Sequence, residues 1–268
     1  MSPDFETLLY DVEDGVATIV LNRPEKYNAF NAVMANELAA AWKAVHESPE
    51  VVCAILTGAG EKAFCTGMDV ADVASGDALD SGRVEREDAP WNRLTAIQNK
   101  CWKPVITAIN GMVNGGGLHF VADADLIVCA EHATFFDTHV KVGLIAGLEP
   151  VGIARRIPLE AVLRMSLLGG AERMSAQQAL DLGLVGEVVA KEQLLPRARE
   201  LAGLISQHSP TALARTKQTI WESLDRGLDD ALTNTWTAIN EHVDHPDLKE
   251  GAVAFVEKRK PRWEPYTG

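Results

Sequence analysis

The run INGMVNGGGLH, residues 109–119, places three consecutive glycines after a β-rich segment and at the opening of what reads as a helix. Glycines let a ligand approach the main chain closely. The first turn of a helix leaves N–H donors unpaired, with the positive end of the dipole behind them. Such a junction suits a phosphate or an oxyanion. Gly115, Gly116 and Gly117 do not form G-x-G-x-x-G, and no G-x-x-x-x-G-K-[ST] occurs in the chain. An oxyanion hole is therefore the sharper expectation, set against the plain alternative of a glycine turn between strand and helix.

The pattern around this junction predicts an α/β fold. Residues 16–22 (VATIVLN), 51–58 (VVCAILTG), 105–110 and 126–130 are short, apolar and bounded by turn residues, as buried strands are. Between the first two lies a helical stripe, Met34, Leu38, Ala41, Trp42 and Val45, closed by Pro49. Alternating strand and helix implies a mostly parallel sheet. Residues 74–90 are rich in Ser, Gly, Asp, Glu and Arg and read as a solvated excursion. From about residue 192 helical periods take over, with Leu228, Leu232, Trp236, Ile239 and Val243 on one stripe and Leu248, Ala252, Phe255 and Val256 on another. Two regions are expected, 1–191 and a helical 192–268, whose apolar faces pack on their own core or on another subunit.

Composition narrows the function classes. A net charge of −13 argues against nucleic-acid binding, which needs clustered cations. Residues 1–15 carry acids and no signal-like apolar core, and no stretch approaches ~18 uninterrupted apolar residues, so neither export nor a membrane span is expected. Cys53, Cys65, Cys101 and Cys129 sit singly, which suggests no disulfide framework or zinc site and fits a reducing cytoplasm. Cys65 reads as a small core residue rather than a nucleophile. A metal site from His119, Asp123, His139 and Glu149 matches no known ligand spacing, and none is expected.

A second donor candidate is AFCTGMD (63–69), where Gly67 permits a tight turn before Met68. Together AFCTGMD and NGGGLH, with LNRPEKYNAF (21–30) upstream and FVEKRK (255–260) near the end, resemble the crotonase, or enoyl-CoA hydratase/isomerase, superfamily over almost the whole chain. The resemblance implies a spiral of ββα turns and a C-terminal helical region that forms a trimer or a dimer of trimers. It also implies an acyl-CoA thioester whose carbonyl meets the N–H groups of Met68 and Gly116. Fixed donors of this kind stabilise developing enolate charge, each by on the order of 3 kcal/mol. Coenzyme A arrives as part of the substrate, with no tightly bound cofactor. Lys26 and Ala29 fall near its nucleotide, and Lys258 with Phe255 fall at a neighbouring subunit's site. A lysine common in the family is Ala71 here, and Lys62 is the candidate to compensate.

The family's hydratases carry two glutamates where this chain has His119 and His139, the second within FFDTHVKVG (135–143). Histidine suits acid–base work near neutral pH. His119 lies three residues beyond Gly116 and shares its face, where the helix N-terminus favours a neutral ring able to take a proton from water. His139 is the expected partner. Glu149, ten residues further on, either orients an imidazole or serves as a helix-start acid before Pro150. Paired histidines also resemble the β-diketone hydrolase branch, which cleaves carbon–carbon bonds by a retro-Claisen route. A non-catalytic acyl-CoA binder is the remaining alternative.

Overall fold

The computed structural model describes residues 4–69 and 90–268. Ala71 and all but the last residue of the polar excursion lie outside the described residues.

Two sheets organise the chain. The larger has the order β1 (Leu8–Glu13), β2 (Val16–Leu21), β3 (Cys53–Gly58), β5 (Val105–Ile109), β7 (Leu126–Ala130) and β10 (Glu187–Val189). Its first pair is antiparallel and the rest parallel. Asp14 and Gly15 close the first hairpin with φ of 51° and 78°, as a two-residue Asp-Gly turn requires. The smaller sheet runs β4 (Ala63–Cys65), β6 (Met112–Asn114), β8 (Thr134–Phe136) and β9 (Met174–Ser175). β3, β5 and β7 each pass by a short connection into β4, β6 and β8, which is the repeated ββ unit of a ββα spiral.

Among the described residues the helices are α1 (Ala32–Glu47), α2 (His119–Ala122), α3 (Leu148–Ile153), α4 (Leu159–Leu167), α5 (Ala176–Asp181), α6 (Leu194–Ile205), α7 (Pro210–Ser223), α8 (Leu228–His242) and α9 (Pro246–Glu257). None is long and apolar enough to cross a membrane. Asn31 caps α1 by accepting from the Met34 N–H at 3.0 Å, and the whole predicted stripe of that helix is buried. Its Trp42 indole donates to the Leu94 carbonyl at 2.8 Å.

The central strands read as unbroken apolar runs because both faces of the sheet are covered. Ala54, Leu56, Val105, Ile109, Ile127 and Cys129 join the α1 side. Their neighbours Cys53, Ile55, Ile106, Ala108, Val128 and Ala130 join Leu194, Ala198 and Ala202 of α6. The helical region that begins near residue 192 thus opens with a helix that completes the sheet's second core. α7 is tied to the same sheet through a buried ammonium: Lys217 Nζ lies 2.7 Å from Asp125 Oδ2 and donates to the Lys103 carbonyl at 2.9 Å. The apolar stripe on α8 faces outward in the single chain, with Leu228 78% and Trp236 64% exposed.

Candidate active site

The main chain of the site is assembled by two segments far apart in sequence. Phe30 and Met68 form an isolated parallel bridge, in which the Phe30 N–H donates to the Gly67 carbonyl at 2.8 Å and the Phe30 carbonyl accepts from the Asp69 N–H at 2.9 Å. In such a bridge the Met68 amide points away from Phe30. Gly67, at φ +91°, lies against the glycine run, since a Cβ there would stand 2.8 Å from the Gly116 nitrogen. Gly115–Leu118 form a 3₁₀ turn that continues into α2. In this tighter turn residues three apart eclipse, so Gly116 and His119 align even more closely than on an α-helix. Gly116 has room for no side chain: its Cβ would meet Phe30 Cζ at 2.7 Å and Gly67 Cα at 3.3 Å.

The motif around residues 21–30 is held by its own polar contacts. Arg23 donates to the Ala29 carbonyl at 2.6 Å and pairs with Asp69 at 3.0 Å. Asn28, fully buried and left-handed at φ 55°, donates to the carbonyls of Ala59 and Ala63 at 2.9 Å each. These contacts clamp the Phe30 segment onto the turn that carries Met68.

Two imidazoles converge on one carboxylate oxygen. Glu149 Oε1, on the first turn of α3, lies 3.2 Å from His119 Nε2 and 4.0 Å from His139 Nε2. His119 and Glu149 are each 6% exposed. The Gln98 amide nitrogen faces His119 Nδ1 at 3.5 Å, while Gln98 Oε1 accepts from the N–H groups of Leu94 and Thr95 at 2.7 and 3.2 Å. With that oxygen occupied, Gln98 presents a donor to Nδ1, which assigns the proton of a neutral His119 to Nε2, toward Glu149. His139 Nδ1 lies 3.0 and 3.1 Å from the two oxygens of Asp137, and its raised pKa follows first from that hydrogen bond, opposed by burial.

A cleft of about 330 Å³ opens onto these groups, lined by Phe30, Met68, Gly116, His119, His139, Glu149 and the apolar Leu144, Ile145 and Leu148. All five residues expected at the reaction centre, Met68, Gly116, His119, His139 and Glu149, therefore share one cavity. The expected nucleotide contacts do not line it. Ala29 is buried beside Phe30, Lys26 and Lys62 are exposed on neighbouring turns, and Phe255 and Lys258 are exposed at the end of α9. Cys65 is wholly buried, which pushes its thiol up to about 12 and leaves it unreactive.

Sequence reasoning missed Phe30, Gln98 and Asp137. Phe30 closes the motif over 21–30 without any sign there of its contact with Gly116, and Gln98 reaches the site from a segment with no motif of its own. Asp137 had one: a carboxylate two residues before a histidine is placed to accept from the backbone and ring of that residue.

Comparison with known proteins identifies the family. The model of the enoyl-CoA hydratase/isomerase family matches residues 11–265. The chain is 35% identical to (E)-benzylidenesuccinyl-CoA hydratase of Thauera aromatica, over 94% of this chain and 96% of that protein. It is 33% identical to carnitinyl-CoA dehydratase of Escherichia coli strain K12, over 96% of this chain and 98% of that one. Among solved structures, an enoyl-CoA hydratase/isomerase from Mycobacterium paratuberculosis superposes with a TM-score of 0.86 at 38% identity, over 97% of this chain and 99% of that chain. By motif, fold and similarity over nearly its full length, the chain belongs to the enoyl-CoA hydratase/isomerase family of the crotonase superfamily.

Proposed function

We propose that the chain is a cytoplasmic, acyl-CoA-processing enzyme of the hydratase type, in which a Glu149–His139 pair does the acid–base work usually done by two glutamates. This pair stands in place of the His119–His139 pair expected from sequence, because both His119 nitrogens face partners. The observation that carries this reading is the 4.0 Å gap between Glu149 Oε1 and His139 Nε2, beside the Met68 and Gly116 amides. The gap is too long for a direct hydrogen bond. A water about 2.8 Å from each atom would bridge them at an angle of about 90°. Glu149 takes a proton from that water as its oxygen bonds to Cβ of an enoyl thioester. The displaced electron pair moves onto the thioester oxygen, held by the two amides, and the imidazolium of His139 delivers a proton to Cα. His119, donating through Nε2, aims the carboxylate.

Coenzyme A is recognised as part of the substrate. Lys26, Ala29 and Lys62 serve its nucleotide from one chain, and Phe255 with Lys258 from a neighbouring copy, in a trimer or dimer of trimers. Support for the latter is that Phe255 is 86% exposed in the single chain. The four free, buried cysteines suit a reducing compartment.

A second reading draws on the same pair. A base beside an oxyanion cradle can aim water at a ketone carbonyl, so that the C–C bond breaks and the departing α-carbon becomes an enolate. The test is steady-state turnover of a panel of trans-2-enoyl-CoA thioesters, followed by loss of the enoyl absorbance. Hydration is expected, and Glu149→Gln is expected to lower kcat by about 10²–10⁴. Release of a ring-opened acid from a cyclic β-diketone, without hydration, would transfer the assignment to the hydrolase reading. Binding without turnover of either class would leave an inert acyl-CoA binder.

A further inference from the structure

We propose that Asp137 is a positioning residue, which fixes His139 with Nδ1–H turned into the protein and Nε2 turned to the cleft. The use made of that ring rests on the hydratase reading above; its orientation rests on geometry alone. Asp137 follows β8 and is fully buried. Among the described residues its one ion-pair partner is His139. Its Oδ1 accepts the His139 backbone N–H at 2.7 Å, and both carboxylate oxygens reach Nδ1. Buried carboxylates persist where they are paired and hydrogen-bonded, and here backbone and ring of one residue supply both needs.

Two further contacts fix the position. Thr138 Oγ1 donates to Asn114 Oδ1 at 3.1 Å, tying the loop to the end of β6. The ring lies over Gly115, whose Cβ would sit 3.5 Å from His139 Cε1. The imidazole is thereby held against the glycine run that carries the Gly116 amide, with one nitrogen assigned inward and the other facing Glu149.

The groups facing His139 are Asp137 on one side and Glu149 on the other, with His119 beyond Glu149; Lys141 on the same turn is exposed. Both carboxylates favour the imidazolium and burial opposes it. A ring that must give up a proton stops working as pH rises through its raised pKa, so His139 should set the alkaline limb of kcat/KM. Asp137→Asn keeps an acceptor of the same shape and removes the charge. The expected result is an alkaline limb moved to lower pH by about one unit or more, with kcat reduced about 10²-fold and KM little changed.

Imidazole ¹⁵N spectra of histidine-labelled protein provide the companion measurement. In the wild type the neutral ring of His139 should be the Nδ1–H tautomer, and in D137N its titration should move to lower pH. An unmoved alkaline limb together with an unmoved titration would overturn the proposal. An Nε2–H tautomer in the wild type would overturn it too, and that measurement stands even if D137N does not fold. Because the spectra need no turnover, a protein that hydrates no enoyl-CoA still tests the Asp137–His139 pairing separately from the hydratase reading.

Discussion

At the scale of single residues, the site is governed by who holds whose proton. His119 spends one nitrogen on Gln98 and the other on Glu149, whereas His139 spends one on Asp137 and turns the other toward Glu149 at 4.0 Å. Two histidines that look equivalent in sequence therefore line one cleft with different partners, and the proposed reaction gives them different tasks. Because the folded-state pKa of His139 is raised, the stability it contributes is fully present below the ordinary histidine value. It is lost as pH rises through the raised one. Gly116 offers a sharper residue-level test. A methyl group there would push on Phe30 and Gly67, which misplaces the amide without removing it. Gly116→Ala is expected to lower kcat by about 10²-fold, measured on whichever thioester the wild type turns over, with the fold retained by circular dichroism. Unchanged kcat would mean that this amide does not meet the reacting carbonyl.

At the scale of elements, periodicity was a faithful guide where one face of an element meets a core. The stripe Met34, Leu38, Ala41, Trp42 and Val45 is buried as a unit, and the strand over 126–130 appears with its predicted limits. Trp42 is 1% exposed and also satisfies the Leu94 carbonyl, so it joins α1 to the segment that carries Gln98. Trp42→Ala is expected to cost about 3–5 kcal/mol in denaturant unfolding. A loss below about 1 kcal/mol would show that this contact adds little to the packing. The glycine junction was less transparent. Its helix is a 3₁₀ turn followed by the four residues of α2, because close approach to Gly67 and Phe30, rather than helix propensity, decides the backbone there.

At the scale of the whole molecule, the apolar faces of α8 and α9 are the outstanding feature. Leu228, Leu232, Trp236, Ile239 and Val243 present a continuous stripe that the chain's own core does not cover. Cover by further copies, as the trimer reading has it, gives a direct prediction. The protein should sediment as a trimer or its multiple, and the double substitution Leu232→Glu with Trp236→Glu should shift it to monomer. If Phe255 and Lys258 complete a neighbour's nucleotide site, the same variant should raise KM for acyl-CoA about tenfold or more. A wild type that sediments as a monomer would refute both statements.

The chain's own order of residues was sufficient for the family, the alternation of strand and helix, the stripe of α1 and the five residues that meet in the cleft. Those properties are local in kind: they follow from side-chain period, from glycine's freedom and from motifs read over a few positions. Which histidine nitrogen carries a proton, which carboxylate lies between the rings, and that Phe30 holds Gly116 free of any side chain were decided by tertiary structure alone. The reason is that each depends on angstrom-scale distances between segments tens of residues apart, such as Phe30, Gln98 and Glu149. Periodicity along the chain does not encode them, while the packing of two sheets and their helices does.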